Sequence, residues 1–110
     1  MKIDNLSMTL LFDYFGELLT EKQKAYFDLY YNQDFSLAEI AENEGISRQG
    51  VHDTLNRTEK LLRQFEEKTG IVARAMARQA AVGELQKAIG QVPDEALRDR
   101  LLTLCGALEE

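Results

Sequence analysis

LAEIAENEGISRQGVHDTLNRTEKLL, residues Leu37 to Leu62, is the stretch around which the rest of the chain falls into place. Ser36 just ahead of it and Glu39 have the S-x-x-E spacing of a capping box, in which the hydroxyl accepts one N–H of the first turn and the carboxylate accepts the cap's own N–H. A short helix starts there, with Leu37, Ile40 and Ala41 on its apolar edge. Ala41 is small where a second helix has to cross closely. Gly45 ends the helix, since glycine takes the left-handed conformation without a Cβ clash, and Ile46 behind it can plug the corner. Ser47 caps the next helix. Val51, Leu55, Thr58 and Leu62 recur three and four residues apart, so they share one stripe. Small residue, tight turn and two anchors predict a helix-turn-helix.

At roughly 100° per residue, Arg48, Gln49, His52, Asn56, Lys60 and Arg63 fall together, away from Val51 and Leu55. These residue types can read duplex DNA. Arginine forks onto guanine O6 and N7, glutamine or asparagine pairs with adenine N6 and N7, and Lys60 and Arg63 further along can reach phosphates. Arg57 completes the candidate DNA-binding set, although Asp53 stands one turn before it and can pair with it instead. Every amphipathic helix has a polar face; the turn beside this one points to groove reading, the commonest use of the motif.

The run Leu19 to Leu62 resembles region 4 of sigma factors, and more closely the YlxM family of small bacterial helix-turn-helix proteins. LLTEKQ, LYY, SLAEIAE, GISRQGV and RTEKLL carry the likeness, with LLFDYFGELLTEKQKAYFDLYY as an opening signature, over about the first two thirds of the chain. Gly50 departs from the pattern, since a helix former is expected in that first turn. The resemblance implies a regulatory protein whose gene neighbours encode the signal recognition particle GTPase and its receptor. A role in that pathway, with the GTPase or the particle's RNA as partner, is implied by the same likeness.

The formal net charge of -6 opposes easy DNA binding, because phosphate neutralisation supplies most non-specific affinity. The charges are unevenly spread. Residues 1 to 44 carry 3 basic and 9 acidic groups, whereas residues 45 to 83 carry 7 and 4, so the positive third contains the reading helix. With three surplus charges per chain, a useful footprint calls for two copies. No apolar run approaches the roughly 18 residues of a membrane span and the opening lacks a signal-peptide pattern, so a cytoplasmic protein is expected. The single cysteine, Cys105, follows Leu101, Leu102 and Leu104 and reads as core packing. With one histidine, no nucleophile beside a base, no phosphate loop and no metal-ligand spacing, neither an enzyme nor a cofactor is expected.

Outward from the motif, Met8, Leu11, Phe12, Phe15, Leu18 and Leu19 recur at helical spacing after Asn5 or Ser7 as a cap, predicting a first helix that ends near Gly16 to Leu19. Thr20 and Gln23 form a second capping box, and Ala25, Tyr26, Leu29 and Tyr30 carry a helix to about Tyr31, broken at Asn32 to Asp34. Tyr26, Phe27, Tyr30, Tyr31 and Phe35 supply the apolar area that joins these helices to the motif, hydroxyls outward. The reading helix can run on to Thr69, roughly 34 Å, with Gly70 as its stop. In the tail, Ile71, Ala75, Val82, Leu85, Ile89 and Val92 make one stripe of a helix over Ile71 to Ile89. Pro93 suits the first position of a last helix, Asp94 and Glu95 its positive end, and Leu97, Leu101, Leu104 and Leu108 form a seam spaced 4, 3, 4.

The expectation is an all-α protein: a sigma region 4-like helix-turn-helix domain over residues 1–69 with a long recognition helix, then a helical extension over 70–110. The tail helices either fold back on the long helix or pair with a second copy, and a homodimer is favoured because operator reading wants two-fold symmetry. Two functions remain open. One is a DNA-binding regulator; the other is a docking module of the signal recognition particle that meets protein or RNA and reads no DNA.

Overall fold

Six α-helices and no strand make up residues 5–109, which the computed structural model describes. The first, α1 (Asn5–Phe15), buries Met8, Leu11 and Phe15 on one face, with Leu19 just beyond. Ser7 lies inside this helix and is not its cap, and what precedes Asn5 lies outside the described residues. After Phe15 the chain tightens into one turn at Gly16–Leu18, where the Leu19 N–H donates to the Gly16 carbonyl at 3.0 Å. Three residues per turn rotate the chain further than an α-helix would. Leu18, expected on the apolar face, is exposed as a result.

Thr20 starts α2 (Glu21–Phe27) with a reciprocal cap: its hydroxyl accepts from the Gln23 N–H at 3.1 Å and its own N–H donates to the Gln23 side chain at 3.0 Å. From Asp28 to Asn32 the helix widens, and the Gln33 N–H reaches back five residues to the Asp28 carbonyl. The Asp28 carboxylate accepts from the Asn32 and Gln33 amides at 2.8 and 2.6 Å, which closes the turn, and Asp34 leaves it at a φ of 60°. Ala25, on the expected apolar side, is exposed.

The Ser36 and Glu39 box opens α3 (Leu37–Glu44), with bonds of 3.1 and 2.8 Å in the two directions. Gly45 then adopts φ 69°, ψ 32°, and the Ile46 N–H donates to the Ala41 carbonyl at 3.1 Å. That six-to-one bond across a left-handed residue fixes the corner before α4 (Arg48–Thr69). Open space surrounds Gly45. Replacing it with alanine therefore tests backbone strain alone. Gly45→Ala is expected to cost about 1–2 kcal/mol in urea unfolding, the penalty of a Cβ in this conformation; an unchanged midpoint would mean that the corner is not held.

Two apolar clusters sit on opposite sides of the widened turn. Met8, Leu11, Phe15, Leu19, Phe27, Tyr31, Leu62 and Val72 form one; Tyr26, Ile40, Ala41, Val51 and Leu55 form the other, inside the helix-turn-helix. Phe27 joins its neighbours by stacking on Phe12 and on Tyr31, each at 4.4 Å between centroids. The aromatic group therefore does link the first helices to the motif, as its density suggests. It does so by splitting between two cores.

The chain divides into two compact units after Val72. Gly70 at φ 65° ends α4, and the Val72 N–H donates to the Glu66 carboxylate at 2.9 Å, which ties Val72 to the first unit. In the second, α5 (Ile71–Ile89) and α6 (Glu95–Ala107) are joined by a short turn and share a small core of Val82, Ile89 and Cys105 with Leu101 against it. Cys105 is core packing, as expected.

Three expectations for this tail change. Val72, Ala75, Val82 and Ile89 are the buried residues of α5, while Ile71 and Leu85 are exposed. Pro93 stands before the cap, because the Asp94 carboxylate takes the Leu97 N–H at 3.1 Å and so claims the cap position itself. Of the leucine seam, Leu101 is half-buried and Leu97, Leu104 and Leu108 are exposed.

Candidate nucleic-acid interface

Ser47 aims α4. Its hydroxyl accepts from the Gly50 N–H at 3.0 Å, and this fixes the first turn from which the polar face projects. A Cβ at Gly50 would stand 3.2 Å from that hydroxyl oxygen and 3.6 Å from Ile46 Cδ1. The glycine that departs from the family pattern thus makes room for the cap and for the corner residue. Val51, Leu55, Thr58 and Leu62 hold the inner face, and Thr58 donates its hydroxyl to the Thr54 carbonyl at 2.8 Å, so no buried polar group is stranded there.

Arg48, Gln49, His52, Asn56, Arg57, Lys60 and Arg63 are all exposed on α4. Leu37, Arg48, Gln49 and His52 line an open hollow of about 440 Å³ between α3 and the start of α4. Leu37 was read from the sequence only as core. Half-exposed, it gives the hollow one apolar wall beside an arginine, an amide and an imidazole.

Asp53 does not pair with Arg57. Its carboxylate accepts from the Gln49 Nε2 at 2.9 Å and lies 3.7 Å from the His52 Nδ1. A carboxylate only accepts, so Gln49 turns its NH₂ inward to Asp53 and its carbonyl oxygen away. The i, i+4 spacing of Gln49 and Asp53 permits this pair, as the same spacing permits one between Asp53 and Arg57. Glu39, Glu42 and Glu44 are exposed on α3 alongside, and the Ser36 N–H and hydroxyl hold the Glu39 carboxyl below its usual range. Exposed carboxylates therefore stand on the helix that packs against the basic one.

Farther along α4, Glu59 accepts the Tyr31 hydroxyl at 2.5 Å, a long-range bond that pins the reading helix to the widened turn. Burial first, then the Glu59 bond and charge, push the Tyr31 phenol well above its ordinary value, while Arg63 pulls the other way. Tyr26 is raised too, by burial and then by Glu44. A phenol whose pKa is higher folded than unfolded keeps its proton in the native state while the unfolded chain loses it. Stability is then fully present below about pH 10 and falls as pH rises beyond it. Thermal midpoints across pH 8 to 11.5 are expected to show that fall and to show less of it in Tyr31→Phe; equal slopes in both chains would refute the coupling.

Among the described residues, no group of three or more histidine, cysteine, aspartate or glutamate side chains is placed to hold a metal, and no helix is long and apolar enough to cross a membrane. A glycine-cornered pair of helices whose second member presents an unburied polar face defines a helix-turn-helix protein. The family comparison agrees: residues 3–99 match the UPF0122 family model, described as "Putative helix-turn-helix protein, YlxM / p13 like", and the chain belongs to that family. Similar chains include a UPF0122 protein of Thermoanaerobacter sp., 47% identical over 100 residues, which span 91% of this chain and 81% of the relative. A UPF0122 protein of Halalkalibacterium halodurans is 41% identical over 104 residues, 94% of this chain and 93% of its own. One from Listeria welshimeri is 44% identical over 96 residues, 86% and 87% respectively.

Proposed function

We propose that this protein is a cytoplasmic, non-enzymatic regulator that binds duplex DNA as a homodimer through the outer face of α4. Arg48, Gln49, His52 and Asn56, on the first turns, meet base edges in the major groove. Lys60 and Arg63 follow along the helix onto phosphates, and Arg57 flanks them. The observation that carries this reading is the exposure of all seven side chains on a helix whose start is set by the Gly45 corner and the Ser47 cap. Phosphates then meet the basic part of the chain, and a second copy doubles a footprint that one chain leaves small.

The exposed carboxylates of α3 favour a second reading. A duplex lying in contact with α4 would bring its phosphates toward Glu39, Glu42 and Glu44, whereas a basic protein would gain from them. In that reading the motif is a docking module of the signal recognition particle, the pathway that the YlxM resemblance implies; the carboxylates favour the GTPase as partner, and the particle's RNA, whose phosphates they repel as they do those of DNA, would have to meet the basic face of α4.

Fluorescence anisotropy of the full chain against a pool of duplexes, with selection of the tightest, separates the two. For DNA reading, Arg48→Ala is expected to relax base preference and Lys60→Ala to weaken all sequences alike. Absence of salt-dependent binding to any duplex, beside a stable complex with the GTPase or the RNA, overturns the first reading in favour of the second.

A further inference from the structure

The second unit leaves much of its apolar surface in water. Its core holds three buried side chains, whereas Leu97 and Leu104 on α6 and Leu108 at its C-terminal cap are 47%, 59% and 51% exposed. At 100° per residue these three lie within about 40° of one another, and Leu101 borders them, so they form one edge along the helix. Resting on the homodimer proposed above, we propose that this edge pairs antiparallel with the same edge of a second copy.

Spacing and charge both name that occupant. Positions 97, 101, 104 and 108 read the same from either end, so a two-fold axis between residues 102 and 103 sets Leu97 against the partner copy's Leu108 and Leu101 against its Leu104. Every layer is filled by two leucines, as an isologous contact requires. The same axis sets Arg98 opposite Ala107 and Arg100 opposite the buried Cys105, so no arginine faces an arginine. A parallel, in-register pair would instead align each arginine with its own copy. Antiparallel helices also oppose their dipoles favourably. Three of the four leucines lie past residue 99, where the family match ends.

Light scattering of the full chain over a range of concentrations reads the pairing. The wild type is expected to be dimeric and Leu104→Glu monomeric with unchanged helical circular dichroism. Leu102→Glu is the control, because Leu102, 43% exposed, lies on the other flank of α6, and it is expected to stay dimeric. In a Cys105→Ala background, chains carrying Leu97→Cys and Leu108→Cys are expected to cross-link with each other. Neither is expected to cross-link with itself, since like positions stand about 16 Å apart along the axis. Self-linked Leu97→Cys, a dimer that survives Leu104→Glu, a dimer lost equally in Leu102→Glu, or a monomeric wild type each overturns the proposal. A dimer of the expected register that binds no duplex leaves this pairing standing and removes the DNA reading alone.

Discussion

Phe27→Ala is expected to cost the fold about 3–5 kcal/mol, the range for removing a fully buried aromatic side chain. Phe27 is completely buried and stacks on both Phe12 and Tyr31, so its ring joins α1 to the widened turn inside the cluster that also takes in Leu62 of α4. Alanine leaves a cavity with aromatic walls on two sides, and rings held by their own helices collapse into it only in part. Against a typical total of about 5–15 kcal/mol, the loss is a large fraction of native stability. For a chain of this size, it corresponds to a melting midpoint lower by roughly 15–30 °C. Tyr14→Ala, at an exposed position of α1, is the comparison and is expected to stay within about 0.5 kcal/mol of the wild type. If the two variants melted together, the ring stack would not be what couples the first helices to the reading helix.

The features that could be read in advance are those decided over a few residues. Both capping boxes, the Gly45 corner, the Ser47 cap and the Gly70 stop each depend on a side chain and a backbone group at most a turn away, so residue type and spacing settle them. The widened turn at Asp28–Asn32 has a local part, the Asp28 carboxylate that takes the Asn32 and Gln33 amides, but that spacing does not say that the helix widens. It appears because Tyr26 must enter one cluster while Phe27 and Tyr31 enter the other, a demand set by helices far away in sequence. The tail shows the same boundary. Periodicity says which residues share a face but not which face is covered. In the alanine-rich α5, Ile71 shares the angle of the buried Ile89 and Leu85 lies about 40° from it, yet both are exposed, because cover varies along the helix as well as around it.

The polar face was legible as a set of residues, and each of its members is exposed. What those side chains do to one another was not. Asp53 stands i, i+4 from both Gln49 and Arg57, and spacing alone does not choose between them; the structure gives it to Gln49. The carboxylates of α3 were visible in the sequence as an acidic N-terminal third. Their place beside the basic helix follows only from the corner that folds α3 against α4.

Raising salt from 50 to 200 mM is expected to weaken duplex binding by about 150-fold if two copies bind together, each placing Lys60 and Arg63 on phosphates. Each phosphate contact contributes about -0.9 to the slope of log affinity against log salt, so four give about -3.6. A single copy with two contacts would lose only about 12-fold over the same range, and the slope therefore counts copies as well as contacts. Lys60→Ala, removing one contact from each copy, should bring the slope to about -1.8 while leaving sequence preference alone. Arg48→Ala should do the reverse, costing about 1–3 kcal/mol of discrimination at one base position with the slope nearly unchanged. The α3 carboxylates act against both, since unscreened repulsion from phosphate is strongest at low salt; Glu42→Gln is expected to tighten binding at 50 mM more than at 200 mM. A flat salt dependence in the wild type would mean that phosphates are not what the basic edge meets, and the exposed face of α4 would then belong to a protein partner.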